Sequence, residues 1–332
     1  MKAICVTSTR GLEVRDVPTP TDPPAGHVLI DMDASAINHG DKVFLAGPLA
    51  GGNVVPTSRY DVWGASGTGV VVAIGAGVPA DLLGRTVAIY KSLGWSSETI
   101  GLWCERAQVP YTCCVVLPTH VRPRDYCGSL VNIMTAYAFL SEVRATGHQG
   151  IIVTAGRSAT ARALASLARR WDMPAVFVVR TAATEQHRFI GDAEHVLALT
   201  SNNFEDELAV AAAKLGTTAV FDGVGGKLIS RIVPILPMNT TLYVYGFLGG
   251  AVPVSFSTSI IMAKNLTIQR FRVYESKTVK DPRRLAVALD ELAGVIDDSL
   301  FTTKIGREFS FEEVGQAMVF ESDLGEKAML VP

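Results

Sequence analysis

Short apolar runs alternate with helical patterns through the middle of the chain. The run IIVTA at residues 151–155 leads through a polar turn into the helical stretch ALASLARRW, and a second apolar run, AVFVV, ends at Arg180. The alternation continues through HVLAL, FEDELAVAAAKL, TAVFD, GGKLISRIVPIL and TLYVYG. Strands separated by helices of about ten to fifteen residues are typical of a doubly wound parallel sheet. The pattern predicts an α/β domain over residues 121–265.

The hydrophobic pattern is different on either side of that domain. The first 120 residues contain short strand-like runs (AICVTS, HVLIDMDASAI, GTGVVVAIG, TVAIY and VVLP) separated by Gly and Pro, which predicts a β-rich, barrel-like domain. After residue 265 come a strand LTIQRF, a helix from Pro282 to Ile296, a strand TKIGREF, a helix FEEVGQAMVF and a last strand AMLVP. We expect this tail to complete the first domain, which then comprises residues 1–120 and 266–332.

The first strand–turn–helix–strand unit has the layout of a dinucleotide-binding motif. In such a motif the turn and the helix N-terminus bind the pyrophosphate, and the residue that ends the second strand meets the adenosine ribose. Arg180 takes that last position, where Asp or Glu would select NAD. It therefore predicts binding of the 2′-phosphate of NADP(H). The alternative is a surface cation that pairs with Glu185 or Asp192.

The glycine pattern of this turn is reduced. The motif G-x-G-x-x-G is represented by Gly156, Ala159 and Ala161, and an added Cβ keeps phosphate further from the backbone. We expect Arg157, Ser158, Thr160 and Arg162 to offset part of that loss by capping the helix or donating to phosphate. An ordinary α/β crossover that binds no ligand is the alternative.

Composition narrows the class of ligand. The chain has 332 residues, enough for two domains, with 48% apolar residues and a net charge of -2. This balance predicts neither a nucleic-acid interface nor a membrane-binding surface, so a small-molecule substrate is expected. The chain has no apolar run of about 18 residues and opens with a strand-like segment, so we expect a cytoplasmic protein. The five scattered cysteines indicate free, mostly buried thiols.

Several segments in order resemble a known family. They are SAINHGDKVFLAG, WGASGTGVVVAIGAGV, LLGRTVAIY, VVLP, MTAYAFL, VFDGVGG, YVYG and GEKAMLVP. Together they resemble the zinc-free quinone oxidoreductase branch of the medium-chain dehydrogenase/reductase superfamily, over almost the whole chain. The resemblance implies a Rossmann domain that binds NADP(H), a GroES-like catalytic domain and a homodimer. The apolar, strand-prone segment VPVSFSTSIIMAKNLTIQRF is consistent with pairing between two copies.

The resemblance also implies site residues. Further cofactor contacts are expected at Thr135, Thr181, Val224, Tyr245, Gly246 and Phe247. Asn38 is expected near the nicotinamide, where its amide can donate to a substrate carbonyl, or else it bonds only its own turn. Tyr60 is the second candidate catalytic residue. Tyr60, Trp63 and Trp95 are candidates for the substrate-site wall, with hydrophobic packing as the alternative.

Zinc ligands are missing where zinc-dependent members of the superfamily carry them. The chain has Asn38-His39-Gly40-Asp41 and Trp63-Gly64-Ala65 in place of a cysteine and a Gly-His-Glu, and it has no cysteine cluster. A catalytic zinc takes about three protein ligands and a structural zinc about four, so we expect a metal-free protein. His39 is either a general acid or a hydrogen-bonded loop histidine.

These features together predict the reaction. Without a Lewis acid, plain alcohol oxidation is disfavoured, and hydride transfer from NADPH to a quinone or to the C=C bond of an α,β-unsaturated carbonyl compound is expected. One alternative is an enoyl thioester reductase, although the tyrosine used by some members is missing from FLAGPLAGG. The other alternative is a catalytically weak cofactor-binding sensor or structural homologue.

Overall fold

The protein divides into two compact units. The computed structural model describes residues 1–45, 58–90, 97–181, 195–250, 252–322 and 325–332. Unit 1 comprises Met1–Asn132 and Ala286–Pro332, and unit 2 comprises Ile133–Leu285.

The regular elements of the described ranges are numbered in chain order. The strands are β1 (Lys2–Val6), β2 (Leu12–Asp16), β3 (His27–Ala36), β4 (Ser66–Ile74), β5 (Thr86–Tyr90), β6 (Arg106–Pro110), β7 (Cys114–Val116), β8 (Gly150–Val153), β9 (Ala175–Val179), β10 (Val196–Ala198), β11 (Thr217–Asp222), β12 (Thr241–Val244), β13 (Thr267–Arg270), β14 (Ile305–Ser310) and β15 (Lys327–Val331). The helices are α1 (His39–Leu45), α2 (Ser129–Ala145), α3 (Ala159–Arg170), α4 (Phe204–Leu215), α5 (Gly226–Ile232), α6 (Thr258–Lys264), α7 (Lys277–Lys280), α8 (Pro282–Ala293) and α9 (Val314–Val319).

Unit 1 is built on a mostly antiparallel sheet. Its strand order is β14-β15-β3-β4-β5-β7, with β6 also paired to β3, and only β14 and β15 run parallel to each other. Strands β3 and β4 lie so close that a Cβ on Gly69 would be 2.3 Å from the Asp31 carbonyl oxygen. Ile30, Val71 and Val87 belong to the buried cluster beneath these strands. The predicted β-rich domain is therefore present.

Unit 2 is built on a parallel sheet of six strands in the order β10-β9-β8-β11-β12-β13. Numbered within the unit, this order is 3-2-1-4-5-6, the Rossmann arrangement, in which the direction of winding reverses between β8 and β11. All four residues of β8 are buried, as expected for a strand covered by helices on both faces. The predicted fold class, a Rossmann sheet together with a β-rich domain, is confirmed.

The strand after Asn265 differs from the sequence prediction, which assigned it to the first domain. Strand β13 pairs with β12 in the parallel sheet, from Thr241↔Thr267 to Val244↔Arg270. Asn265 has a left-handed φ of 49°, which ends α6 and turns the chain into this strand. The pattern of a short edge strand does not specify which sheet it joins, so the prediction had no physical basis for this choice.

The segment before α2 also differs from the predicted boundary. Residues 121–132 lie in unit 1 because their backbone bonds there: the Asp125 carbonyl accepts the Thr303 N–H, and the Cys127 carbonyl accepts the Ala36 N–H.

Candidate functional site

The turn after β8 is held close to β9. The Gly156 N–H donates to the Val178 carbonyl at 2.9 Å, and a Cβ on Gly156 would be only 2.8 Å from that oxygen. Ala155, rather than a glycine, takes the positive φ of 52°. Ser158 caps α3, because its Oγ accepts the Ala161 N–H at 3.1 Å. Gly156 is therefore needed for close packing, whereas the strained backbone falls on Ala155.

This turn places two sources of positive potential beside the end of β9. Because Gly156 bonds Val178, the N-terminus of α3 lies close to the chain at Arg180, which is exposed. Within the described ranges, Arg180 has no carboxylate at salt-bridge distance, and the Ala159 N–H has no acceptor. Glu185 and Asp192, the alternative partners of Arg180, lie outside the described residues. A helix N-terminus next to an arginine favours an anion.

A buried carboxylate joins the neighbouring strand ends. Asp222, at the end of β11, accepts the Thr154 hydroxyl at 2.6 Å, the Val224 N–H at 3.0 Å and the Gly225 N–H at 3.0 Å. The Thr154 hydroxyl in turn accepts the Gly223 N–H at 2.9 Å. Burial raises the pKa of Asp222, and these hydrogen bonds oppose the rise. The network fixes the turn after β8 to the loop after β11.

The segment after β12 is attached to the same loop. The N–H groups of Tyr245 and Gly246 donate to the Asp222 carbonyl at 2.9 and 3.3 Å, and the Leu248 N–H donates to the Gly223 carbonyl at 2.9 Å. A Cβ on Gly246 would lie 3.1 Å from the Gly223 oxygen, so the approach of the two segments favours glycine. Three loops thus meet at the carboxyl edge of the parallel sheet, where Rossmann proteins bind ligands.

Tyr245 brings a hydrogen-bonding group into this edge. Its ring stacks on Phe221 with centroids 4.0 Å apart, and its hydroxyl lies over Gly223. Burial raises the pKa of Tyr245 to about 12, so the hydroxyl is a protonated donor at neutral pH. Ser158 opposes this rise in pKa, but the buried hydroxyl has no partner in hydrogen-bonding geometry in the described part of the chain. An unpartnered buried hydroxyl suits a polar ligand.

Most of the predicted cofactor residues therefore lie along one edge of the sheet. The loops after β8, β9, β11 and β12, together with the first two residues of α3, carry Gly156, Arg157, Ser158, Ala159, Thr160, Arg180, Thr181, Val224, Tyr245, Gly246 and Phe247. Thr135 lies half-buried on the part of α2 that belongs to unit 2, and it stays a predicted contact. Sequence reasoning missed Thr154 and Asp222. A polar residue ending each of two apolar strands was the signal that could have found them.

In unit 1, the Asn38 side chain is the centre of a polar cluster. Its Oδ1 accepts hydrogen bonds from Asn132 Nδ2 at 3.2 Å and from Lys327 Nζ, and its Nδ2 donates to Ser66 Oγ at 2.8 Å. Its backbone N–H donates to Asp41 Oδ2 at 2.8 Å. The second Nδ2–H has no acceptor within the described residues. Sequence reasoning identified Asn38 but missed Lys327, Asn132 and Ser66.

Asp41 links this cluster to Trp63. Asp41 is buried and accepts the Trp63 Nε1–H at 3.1 Å. Burial raises the pKa of Asp41 to about 6. Trp63 is 1% exposed and belongs to a hydrophobic cluster of unit 1, which favours the packing alternative for this residue.

The environment of Tyr60 also favours packing. Its ring packs against the hydrophobic cluster that contains Val62, and the Arg59 guanidinium lies 5.1 Å from the ring centroid. Tyr60 and Asp61 have consecutive left-handed φ values of 62° and 58°, which is a strained conformation for side-chain-bearing residues. Its catalytic role stays a prediction, and Trp95 lies outside the described residues.

His39 is the first residue of α1 and follows Asn38 directly. Burial and the charge of Lys42 lower the pKa of His39, so its imidazole is mostly neutral at pH 7 and is a poor general acid. Among the described residues, no group of three or more His, Cys, Asp or Glu side chains is arranged to hold a metal ion.

Comparison with known proteins identifies distant relatives. No family model matches the chain. The human synaptic vesicle membrane protein VAT-1 homolog is 24% identical over 232 residues, which cover 68% of this chain and 56% of the relative, and the rat protein is 25% identical over 234 residues, covering 68% and 54%. The chain thus spans about half the length of these curated relatives. In the ranges the structure describes, no helix is long and apolar enough to cross a bilayer.

Solved structures match the complete chain. A Mesorhizobium loti protein assigned as an NADPH:quinone reductase has a TM-score of 0.75 and 24% identity, covering 100% of this chain and 98% of that one. A mycobacterial protein solved with NADPH has a TM-score of 0.72 and 23% identity, covering 100% of both chains. Escherichia coli quinone oxidoreductase, also solved with NADPH, has a TM-score of 0.71 and 15% identity, covering 100% and 99%. The chain therefore has the same fold as these solved structures.

Proposed function

We propose that this protein is a zinc-independent oxidoreductase that uses NADPH to reduce a quinone or the C=C bond of an α,β-unsaturated carbonyl compound. The observation that carries the proposal is the 2.9 Å hydrogen bond from Gly156 to Val178, which brings the N-terminus of α3 beside the β9 end that carries Arg180. A site for the pyrophosphate and a cation for the 2′-phosphate then lie at one edge of the sheet.

The residues at that edge suit NADP(H) in a second way. The Ala159 N–H and the buried Tyr245 hydroxyl are donors without partners among the described residues, and a bound dinucleotide offers acceptors to such groups. Arg180 can bind a 2′-phosphate through several N–H groups, which a neutral ribose hydroxyl cannot match. The mycobacterial and Escherichia coli structures, solved with NADPH, add support by fold analogy.

Asn38 is the proposed donor to the substrate. Bound NADPH supplies the hydride, which adds to the β-carbon of an enone and leaves negative charge on the carbonyl oxygen. The remaining Nδ2–H of Asn38 can donate to that oxygen and stabilise the charge as it develops. The donor set supports a reaction without zinc, since the described residues hold no group of three or more His, Cys, Asp or Glu side chains arranged to bind a metal ion.

We also propose that the active form is a homodimer. All four residues of β13 are exposed, and this strand is the edge of the parallel sheet, so its outer backbone groups can pair with another strand. Ile268 and Met262 are 46% and 81% exposed beside that edge. A second copy offers the same edge and the same apolar side chains, so a twofold axis would cover both.

The test is a fluorescence titration of the purified protein with NADPH and with NADH, followed by turnover assays. The assay panel contains quinones, simple enones and an enoyl-CoA. NADPH-selective binding with turnover of a quinone or enone is the expected result. Turnover of the enoyl-CoA alone would favour the thioester reductase, and tight binding without turnover would favour the sensor. Failure to bind either nucleotide would refute the proposal.

A further inference from the structure

We propose that Lys327 is a positioning residue for the Asn38 amide, and that it acts together with Asn132 to orient and polarise that amide toward the substrate. This inference rests on the proposed role of Asn38. It is carried by the polar cluster around Asn38, in which both acceptor positions of Oδ1 face donors.

The strand register explains why Lys327 meets Asn38. Strand β15 pairs antiparallel with β3 through Met329↔Ala36 and Leu330↔Ser35, and the Ile37 N–H donates to the Ala328 carbonyl at 3.0 Å. Continuing this register by one residue sets Lys327 opposite Asn38. The contact joins residues 289 positions apart, so it depends on the sheet and not on local sequence.

The donors around Asn38 allow only one orientation of its amide. Lys327 Nζ and Asn132 Nδ2 can only donate, so they must face Oδ1, and Ser66 Oγ then accepts from Nδ2. A flipped amide would place its NH₂ group against the lysine ammonium. Asn132 is itself held by a 2.7 Å hydrogen bond to the Gly128 carbonyl. The free Nδ2–H therefore points in one fixed direction.

The charge of Lys327 adds an electronic effect. A cation on Oδ1 draws electron density from the amide nitrogen and makes the Nδ2–H a stronger donor. Stabilising a developing negative charge depends on such preorganised donors, and losing one costs about 100- to 1000-fold in kcat. If the donor is kept but is held less firmly and is less polarised, kcat should fall by less, about 10- to 100-fold.

The test compares Lys327→Met, which keeps the length of the side chain, with Lys327→Arg, which keeps its charge. Lys42→Met is the matched control, because Lys42 is also a half-buried lysine of unit 1 and donates to the Phe320 carbonyl instead. We expect Lys327→Met to lower kcat about 10- to 100-fold with an unchanged KM for NADPH, and Lys327→Arg to recover much of the loss. Lys42→Met should stay within about twofold of the parent kcat.

A second readout does not need turnover. The chain has seven asparagines, so selective ¹⁵N-asparagine labelling gives few side-chain amide signals, and Asn38→Asp identifies the Asn38 pair. Lys327→Met should shift that pair, whereas Lys42→Met should not. A circular dichroism melt verifies that each variant is folded, and Lys327→Arg provides a second test if Lys327→Met is not.

The outcomes separate the two proposals. If the parent protein reduces none of the substrates, the proposed function fails, and the amide signals alone decide the role of Lys327. An Asn38 signal that does not change in folded Lys327→Met overturns the positioning role. It is also overturned if the parent is active and Lys327→Met keeps kcat within twofold, or if Lys327→Met raises only the KM for NADPH.

Discussion

The Thr154 hydroxyl donates a 2.6 Å hydrogen bond to the Asp222 carboxylate and joins the ends of β8 and β11. Both side chains are fully buried. We expect Thr154→Val to lower the free energy of unfolding by about 2–3 kcal/mol, because the buried Gly223 N–H loses its acceptor and the Asp222 carboxylate loses one of its donors. Urea unfolding measures this loss, and NADPH titration should show weaker binding because the phosphate turn loses its anchor.

The matched control lies at the other end of β11. Thr217→Val removes an equally buried hydroxyl whose 3.4 Å bond goes to the Ala212 carbonyl, away from the loops at the carboxyl edge. We expect this change to cost less than about 1 kcal/mol and to leave NADPH binding intact. Equal effects of the two substitutions would show that the Thr154–Asp222 contact has no special role.

Substitutions at the adjacent turn residues Ala155 and Gly156 should change the stability of the protein in opposite directions. Ala155→Gly relieves a left-handed φ of 52°, which costs an L-residue about 1–2 kcal/mol, and loses about 0.5–1 kcal/mol to added chain entropy. Thermal and urea unfolding should therefore show a gain of about 0.5–1 kcal/mol. Gly156→Ala should instead destabilise by about 1–3 kcal/mol, because its Cβ would be 2.8 Å from the Val178 oxygen. Loss of stability in Ala155→Gly would contradict the strain argument.

The hydrophobic pattern was sufficient to predict the fold, because most of the sheet in unit 2 consists of buried strands separated by amphipathic helices. It failed for β13, an exposed edge strand of only four residues, since either domain could accept such a segment. The turn shows a similar limit: the pattern identified Gly156 as the first fingerprint glycine, but the positive φ falls on Ala155. Lys327 could not be found from local sequence, because its contact with Asn38 is created by pairing between β3 and β15.

The cofactor preference should depend on Arg180. Arg180→Ala removes the proposed partner of the 2′-phosphate, so NADPH affinity should fall about 10- to 100-fold, the equivalent of losing a charged hydrogen bond, while NADH affinity stays nearly unchanged. Fluorescence titration with each nucleotide measures both. Arg169→Ala, at the opposite end of α3, is the control and should change neither affinity. Parallel losses for both nucleotides in Arg180→Ala would argue against phosphate recognition.

Asp41 should make stability depend on pH in a defined direction. Its pKa is raised from an ordinary 3.8 to about 6 in the folded protein, so the folded state binds the proton more tightly than the unfolded state. The stabilising contribution is complete below about pH 4 and is lost as the pH rises through about 6. Relative to Asp41→Asn, the parent should therefore lose up to about 3 kcal/mol of unfolding free energy over that range.

Urea unfolding of both proteins at several pH values measures this difference, and other titrating groups largely cancel in the comparison. Asp81→Asn serves as the control, since Asp81 is an exposed carboxylate of unit 1. If the difference in unfolding free energy between the parent and Asp41→Asn stays constant from about pH 4 to about pH 7, the raised pKa of Asp41 is contradicted.

The proposed homodimer should depend on the exposed edge strand β13. Ile268 is 46% exposed on the edge strand β13, and a glutamate there would bring two negative charges together across the twofold axis. We expect the parent protein to sediment as a dimer at micromolar concentration and Ile268→Glu as a monomer. Val210→Glu, at a 68% exposed position of α4, is the matched control and should stay dimeric. A monomeric parent would refute the dimer, and a dimeric Ile268→Glu would move the interface away from β13.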